Sequence, residues 1–221
     1  MKDKEKINYP GEKINVEWDG SLCIHIAECG HAKGELFVTG RQPWCKPDLV
    51  TVDNVIDVVE RCPSGALSYK CKDLTIEENS DQENTLTVCY NGPYFVRGEL
   101  DVESSAGDSP GTKFRAALCR CGSSKNKPFC DNSHEANGFK DYGAVGDKGE
   151  AITTKGGKFK VKALEDGPLL LSGKITIKNS SGRVAWQGVE AALCRCGASN
   201  NKPFCDGSHI ATGFKSKIAT T

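Results

Sequence analysis

Two stretches of sixteen residues in this 221-residue chain carry the side chains best suited to hold a metal. Residues 119–134 and 194–209 each offer three thiols and one imidazole in the order C-x-C-x8-C-x3-H. The ligand candidates are Cys119, Cys121, Cys130 and His134, then Cys194, Cys196, Cys205 and His209. Four soft to borderline donors in so short a segment can close around one inorganic centre, a tetrahedral zinc or an iron–sulfur cluster. Structural zinc sites usually pair their ligands as C-x2-4-C and H-x3-5-H. The C-x-C pair is tighter than that, while C-x3-H suits either metal.

The composition around these stretches narrows the function classes. Lysine plus arginine and aspartate plus glutamate stand at 29 each, so no charge excess points to nucleic acid or an anionic membrane. The charged start, Met1 to Asn8, has no apolar run after it and does not read as a signal peptide, and no stretch is long and apolar enough to span a bilayer. A soluble, cytoplasmic protein is expected. In that compartment twelve cysteines point to metal ligation rather than to a disulfide framework. No nucleophile–base triad, no paired acid–base carboxylates in a recognisable motif and no dinucleotide fingerprint are present, so no intrinsic catalytic activity is expected.

The elements that must position these ligands repeat with a period of 75 residues. Gly92-Pro93 returns as Gly167-Pro168, Gly98 as Gly173, Leu100 and Val102 as Ile175 and Ile177, with all four ligands in phase. Of the 26 positions from Arg115/Glu190 to Lys140/Lys215, 20 are identical, the mark of a duplicated domain. In each copy alternating residues predict a half-buried strand (Leu86, Val88, Tyr90; Phe159, Val161, Ala163). A Gly-Pro turn, a short strand (94–96, 169–171), a glycine and a third strand should follow. The ligand stretch is expected in loop, ending in a short helix capped by Asp131 or Asp206.

The ligand stretches resemble the CDGSH, or NEET, iron–sulfur proteins, whose pattern is C-x-C-x2-S/T-x3-P-x-C-D-G-S/A/T-H. The second copy matches throughout (Cys194, Cys196, Ser199, Pro203, Cys205, Asp206, Gly207, Ser208, His209), and the first departs only at Asn132, where glycine belongs. Asparagine tolerates left-handed backbone, so that departure need not spoil the site. The resemblance covers about residues 85–215 and implies one [2Fe–2S] cluster per motif, held by three cysteines and one histidine. It also implies a homodimer-like body: relatives with one motif pair as dimers, so two copies in one chain should pack on each other as an intramolecular pseudo-dimer, a monomer with a pseudo-two-fold axis. Replacing one thiolate by neutral imidazole removes a negative charge. The potential should then lie between the all-cysteine plant-type value of about −400 mV and the Rieske range of about −150 to +300 mV. Acid should compete with iron for that imidazole. Arg120, Arg195, Lys127 and Lys202 flank the cysteines and either offset the anionic centre or are ordinary solvated charges.

Upstream, residues 13–18 predict a strand, and Val52, Val55, Ile56 and Val59 share one helix face, capped by Thr51 or Asp53 and ended by Pro63. Cys62-Pro63 follows directly, and a cysteine before proline is how bacterial ferredoxins present a remote cluster ligand. Residues 1–75 resemble divergent single-cluster ferredoxin-like domains, with Cys23, Cys29 and Cys62 at matching positions and Ile26 where a middle ligand would fall. Three ligands imply a [3Fe–4S] cluster, or a [4Fe–4S] cluster completed by His25, Cys45 or an exogenous group; the alternative is that these cysteines only pack.

The expected fold is α+β and mostly β: a ferredoxin-like domain (1–75), a linker (76–84), and two CDGSH domains (85–145 and 150–221). The expected role is electron transfer with redox partner proteins. Donation of clusters to apo-acceptors, or redox and pH sensing, is the second reading, and a zinc-binding interaction module the third.

Overall fold

The computed structural model describes residues 6–104, 113–146 and 156–217 and divides into two compact units between Asn79 and Ser80. In the first unit β1 (Lys6–Tyr9), β2 (Ile14–Asp19) and β3 (Leu67–Cys71) form an antiparallel sheet in that order. Helix α1 (Val52–Arg61) covers it through Val55, Val58 and Val59, all buried. Its β-branched residues are poor helix formers. Burial of such a side chain contributes about 1.5–3 kcal/mol, which outweighs the propensity cost. The Thr51 hydroxyl accepts a hydrogen bond from the Asn54 N–H at 3.3 Å and starts the helix, and the chain leaves it at Cys62-Pro63. A second small core gathers around Trp44, whose ring lies 4.6 Å from Phe37, 6.0 Å from Tyr9 and 6.2 Å from Trp18.

The second unit holds β4 (Thr85–Val88), β5 (Tyr94–Arg97), β6 (Glu99–Glu103), β7 (Arg115–Leu118), α2 (Ser133–Ala136), β8 (Lys158–Ala163), β9 (Leu169–Lys178), β10 (Val184–Leu193) and α3 (Ser208–Ala211). Seven strands make one sheet, β6-β8-β9-β4-β5-β7, with β10 also paired to β9. The alternating residues point where their periodicity requires: Leu86, Val88, Phe159 and Val161 are fully buried, and the three lysines of β8 face water. Tyr90 is an exception, since it lies past the end of β4 and is exposed. Gly98 separates β5 from β6 as expected, but β9 runs straight through Gly173. The cause is β10, which pairs with β9 on both sides of that glycine, from Lys178 back to Leu169.

The copies are joined by strand exchange. β4 of the first pairs in parallel with β9 of the second (Leu86↔Ile177), and β6 of the first pairs in parallel with β8 of the second (Leu100↔Phe159). Moved by the 75-residue period, Leu100↔Phe159 becomes Ile175↔Asn84, which is the next step of the register Thr85↔Thr176. The same pairing is thus made twice, once in each direction. Among the described residues no helix is long and apolar enough to cross a membrane.

Candidate metal centres

Each ligand loop is a clasp closed on the end of a strand. In the first copy the Cys119 N–H donates to the Pro128 carbonyl and the Cys130 N–H to the Ala117 carbonyl, both at 2.8 Å. In the second, Cys194 donates to Pro203 and Cys205 to Ala192 at the same 2.8 Å. The motif serine ties the clasp internally: the Ser124 hydroxyl donates to the Phe129 carbonyl at 2.6 Å, and Ser199 to Phe204 at 2.7 Å. Asp131 receives the Lys125 N–H at 2.8 Å on one oxygen and the Ser133 N–H at 3.1 Å on the other. Asp206 repeats this with Asn200 and Ser208. These aspartates therefore brace the short helix from one position earlier than the cap expected of them. The cap position itself is Asn132 (φ 70°) or Gly207 (φ 86°), both left-handed. Asparagine thus holds the backbone that glycine holds in the other copy.

The clasps bring the ligand candidates together in pairs. Cys119 and Cys121 sulfurs stand 3.9 Å apart, and Cys130 Sγ lies 3.4 Å from His134 Nδ1. The second copy has 3.7 Å between Cys194 and Cys196 and 3.4 Å between Cys205 Sγ and His209 Nδ1. With metal–sulfur and metal–nitrogen bonds of about 2.3 and 2.05 Å, two ligands on one tetrahedral ion stand about 3.8 Å apart for sulfur–sulfur and about 3.6 Å for sulfur–nitrogen. Each pair fits one metal ion. Among the described residues no three cysteine, histidine, aspartate or glutamate side chains converge as one isolated ion would need. Backbone N–H groups also face the sulfurs, from Ser123 to Cys121 at 3.5 Å and from Asn132 to Cys130 at 3.4 Å, as suits anionic thiolates. Burial pushes the Cys130 thiol up to about 11, so its thiolate calls for a cation beside it. In the first pair, the hydrogen bond between the two free thiols together with burial holds Cys119 above its ordinary range, and the same hydrogen bond lowers Cys121.

Of the four flanking cations, the two arginines are not solvated charges: Arg120 and Arg195 are each 1% exposed. Arg120 donates to the Gly92 and Cys89 carbonyls and to the Asp141 carboxylate. Arg195 donates to the Gly167 and Leu164 carbonyls. Lys127 and Lys202 are half-buried and donate to the Ser124 and Ser199 carbonyls of their own loops. The two clasps also meet. A Cβ on Gly122 would fall 2.6 Å from the Cys196 carbonyl oxygen, and one on Gly197 would fall 2.8 Å from that of Cys121. Between them lies Tyr94, fully buried, its hydroxyl donating to the Cys194 carbonyl at 2.9 Å and the Pro203 carbonyl at 3.1 Å. Tyr94 had no motif to mark it; the only signal was an aromatic residue where the other copy has Leu169.

In the first unit, Cys29 sits in a short 3₁₀ turn (Glu28–His31) and Cys62 at the end of α1, while Cys23 is half-buried in the loop after β2. Burial, then the charges of Cys23 and Cys62, raises the Cys29 thiol, so each of those two lies within electrostatic reach of Cys29. Of the proposed fourth ligands, His25 is exposed with its Nδ1 3.9 Å from Cys23 Sγ, and Cys45 is buried with its thiol pushed up to about 12. Cys71 is buried and Cys89 half-buried, and all twelve cysteines are free.

Comparison with known proteins agrees with this layout. Residues 9–72 match the family described as "Divergent 4Fe-4S mono-cluster", and residues 91–135 and 166–210 each match "Iron-binding zinc finger CDGSH type". Two relatives, each an "Uncharacterized protein YjdI", from Escherichia coli strain K12 and from Escherichia coli O157:H7, are 45% identical over 64 residues, 29% of this chain and 84% of theirs. No solved structure matches. The chain belongs to the iron–sulfur binding proteins of the CDGSH type, with two such domains behind a divergent 4Fe-4S mono-cluster domain.

Proposed function

We propose that each CDGSH domain holds one [2Fe–2S] cluster through three cysteines and a histidine, and that the protein carries electrons. The supporting observation is the pairing of ligands: Cys119 with Cys121 and Cys130 with His134, then Cys194 with Cys196 and Cys205 with His209, each pair at the spacing of one tetrahedral ion. Two such pairs in each loop suit two irons better than one zinc. A cluster of this kind takes up and returns one electron at a time. The chain's part is to bind it, to shield it on the buried side, and to offset its charge with Arg120 and Arg195. Nδ1 of each histidine faces the paired sulfur, which leaves Nε2 free to carry a proton. The reciprocal strand pairing supports an intramolecular pseudo-dimer, with the protein working as a monomer.

Cys23, Cys29 and Cys62 are proposed to hold a further three-iron or four-iron cluster. Iron and acid-labile sulfide counts on protein prepared anaerobically test both statements. About four irons per chain corresponds to the two CDGSH centres alone, and about seven or eight adds the third. A folded, colourless chain with zinc and no sulfide would end the proposal.

A second reading is favoured by the openness of the second pocket, where Cys196, Cys205 and His209 are all half-exposed. That reading is donation of the cluster to an apo-acceptor. Loss of visible absorbance from this chain with matching gain in an apo-ferredoxin, faster after oxidation than after reduction, would select donation. Repeated reduction and reoxidation without loss selects electron transfer.

A further inference from the structure

The two pockets share their ligands but not the charges around them. Asn91 and Asp141 of the first copy stand where the second has Asp166 and Ser216. In the first, the carboxylate at 141 pairs with buried Arg120, and its own side chain is 17% exposed. In the second, the carboxylate has moved to Asp166, is 34% exposed, and binds Lys215 Nζ at 2.7 Å. Ser216 takes the aspartate's place and bonds back to Asp166 through its own N–H at 2.7 Å. Among the described residues no carboxylate lies within ion-pair distance of Arg195, although Asp166 and the Cys119 thiol act on it from further off. At these two positions each copy carries one carboxylate; the depth of that charge is what differs.

Two further differences point the same way. His134 is buried and His209 half-exposed. The residue after His134 is Glu135, whereas the residue after His209 is Ile210. Opposing them are Lys125, where the second copy has Asn200, and the influence of Arg195 on Cys119. Lys125 is exposed and screened by water.

Resting on the reading of both pockets as [2Fe–2S] sites, we infer that they are unequal acceptors. Asp141 and the burial of the first pocket hold it at the lower potential, so the first electron delivered to the chain settles in the second. Reduction adds one negative charge and makes or breaks no bond, the electron coming from an outside one-electron donor. A half-buried anion and loss of water both oppose that added charge. Asp141 acts through Arg120 and is therefore a positioning residue.

The test is an anaerobic potentiometric titration of the full chain with dithionite, followed by electron paramagnetic resonance. His134→Cys alters the signal of the first pocket only and so assigns the two signals. Two waves are expected, the second pocket reduced first, with at least a tenfold preference, about 59 mV for one electron. Asp141→Asn should raise the first wave and leave the second. The double variant Asp166→Asn with Ser216→Asp reproduces the first copy's arrangement at unchanged net charge, and should bring the second wave down toward the first. A single wave in the parent, reduction of the first pocket first, or a double variant whose second wave does not move would overturn the inference. Iron and sulfide are counted on every preparation beforehand. Fewer than two binuclear centres per chain would instead refute the cluster reading beneath it.

Discussion

Gly122→Ala should weaken the cluster that Gly122 does not belong to. Gly122 follows Cys121 in the first clasp, at φ 83°, and a Cβ there would sit 2.6 Å from the Cys196 oxygen and 3.0 Å from its carbonyl carbon. Both are backbone atoms of a second-pocket ligand, so relief requires moving Cys196. Left-handed backbone costs an alanine about 1–2 kcal/mol. Forcing an atom into a packed contact adds about 1–3 kcal/mol. Gly207→Ala provides the control, since its φ of 86° carries the same backbone cost but nothing lies within 4 Å of the new Cβ. The difference, about 2 kcal/mol, corresponds to roughly a 30-fold loss of retention. The assay is occupancy of the second pocket, read from its own resonance signal, against rising chelator. Gly197→Ala should act reciprocally on the first pocket through the Cys121 oxygen at 2.8 Å. If Gly122→Ala leaves the second pocket as chelator-resistant as in the parent, the meeting of the two clasps is not what the geometry says it is.

Three other outcomes follow from contacts already described. His209→Cys should keep its cluster on mild acidification longer than the parent does, because a proton can displace iron from a neutral imidazole; equal rates of bleaching at pH 5 would rule out this role for the histidine. Tyr94→Phe removes the buried donor to the Cys194 carbonyl. It should cost about 1–3 kcal/mol, seen as a fall of roughly 5 °C in the apparent Tm of the cluster-loaded protein, and an unchanged Tm would argue against it. Thr51→Ala deletes the cap of α1 and should cost about 1 kcal/mol. Faster amide exchange confined to α1 and β3, with the second unit unaffected, is the expected pattern.

What could be read in the chain was what is local. Helix α1 with Val55 and Val59 on its buried face and its threonine cap, the alternation in β4 and β8, and the short helix that closes each ligand loop each depend on residues within a few positions of one another. The burial of Val58 in place of Val52 and Ile56 was not read. β1 was missed because its alternation, Lys6-Ile7-Asn8-Tyr9, lasts only four residues, and only Tyr9 of them is buried. The packing of the two copies on each other was expected only through the family resemblance, and the strand exchange that joins them left no local sign. The residues of β4 would look the same whichever copy's strand lay alongside, because a parallel neighbour some 90 positions away leaves no short-range pattern. The burial of Arg120 and Arg195 was hidden for another reason. A charged residue between two cysteines reads as surface until the carbonyls of Gly92 and Gly167 are seen to receive it. Their recurrence between two ligands in both copies was the available clue.

The exchanged strands set an order on the making of this protein. As the chain leaves the ribosome, residues 119–134 emerge with all four of their ligands while β9, the parallel neighbour of β4, has not yet been synthesised. β6 likewise waits for β8. At 5–20 residues per second the interval is about several seconds. During it the leading motif is exposed with an unfinished sheet behind it, so lasting iron delivery belongs after translation has passed β9, when neither half can be completed without the other.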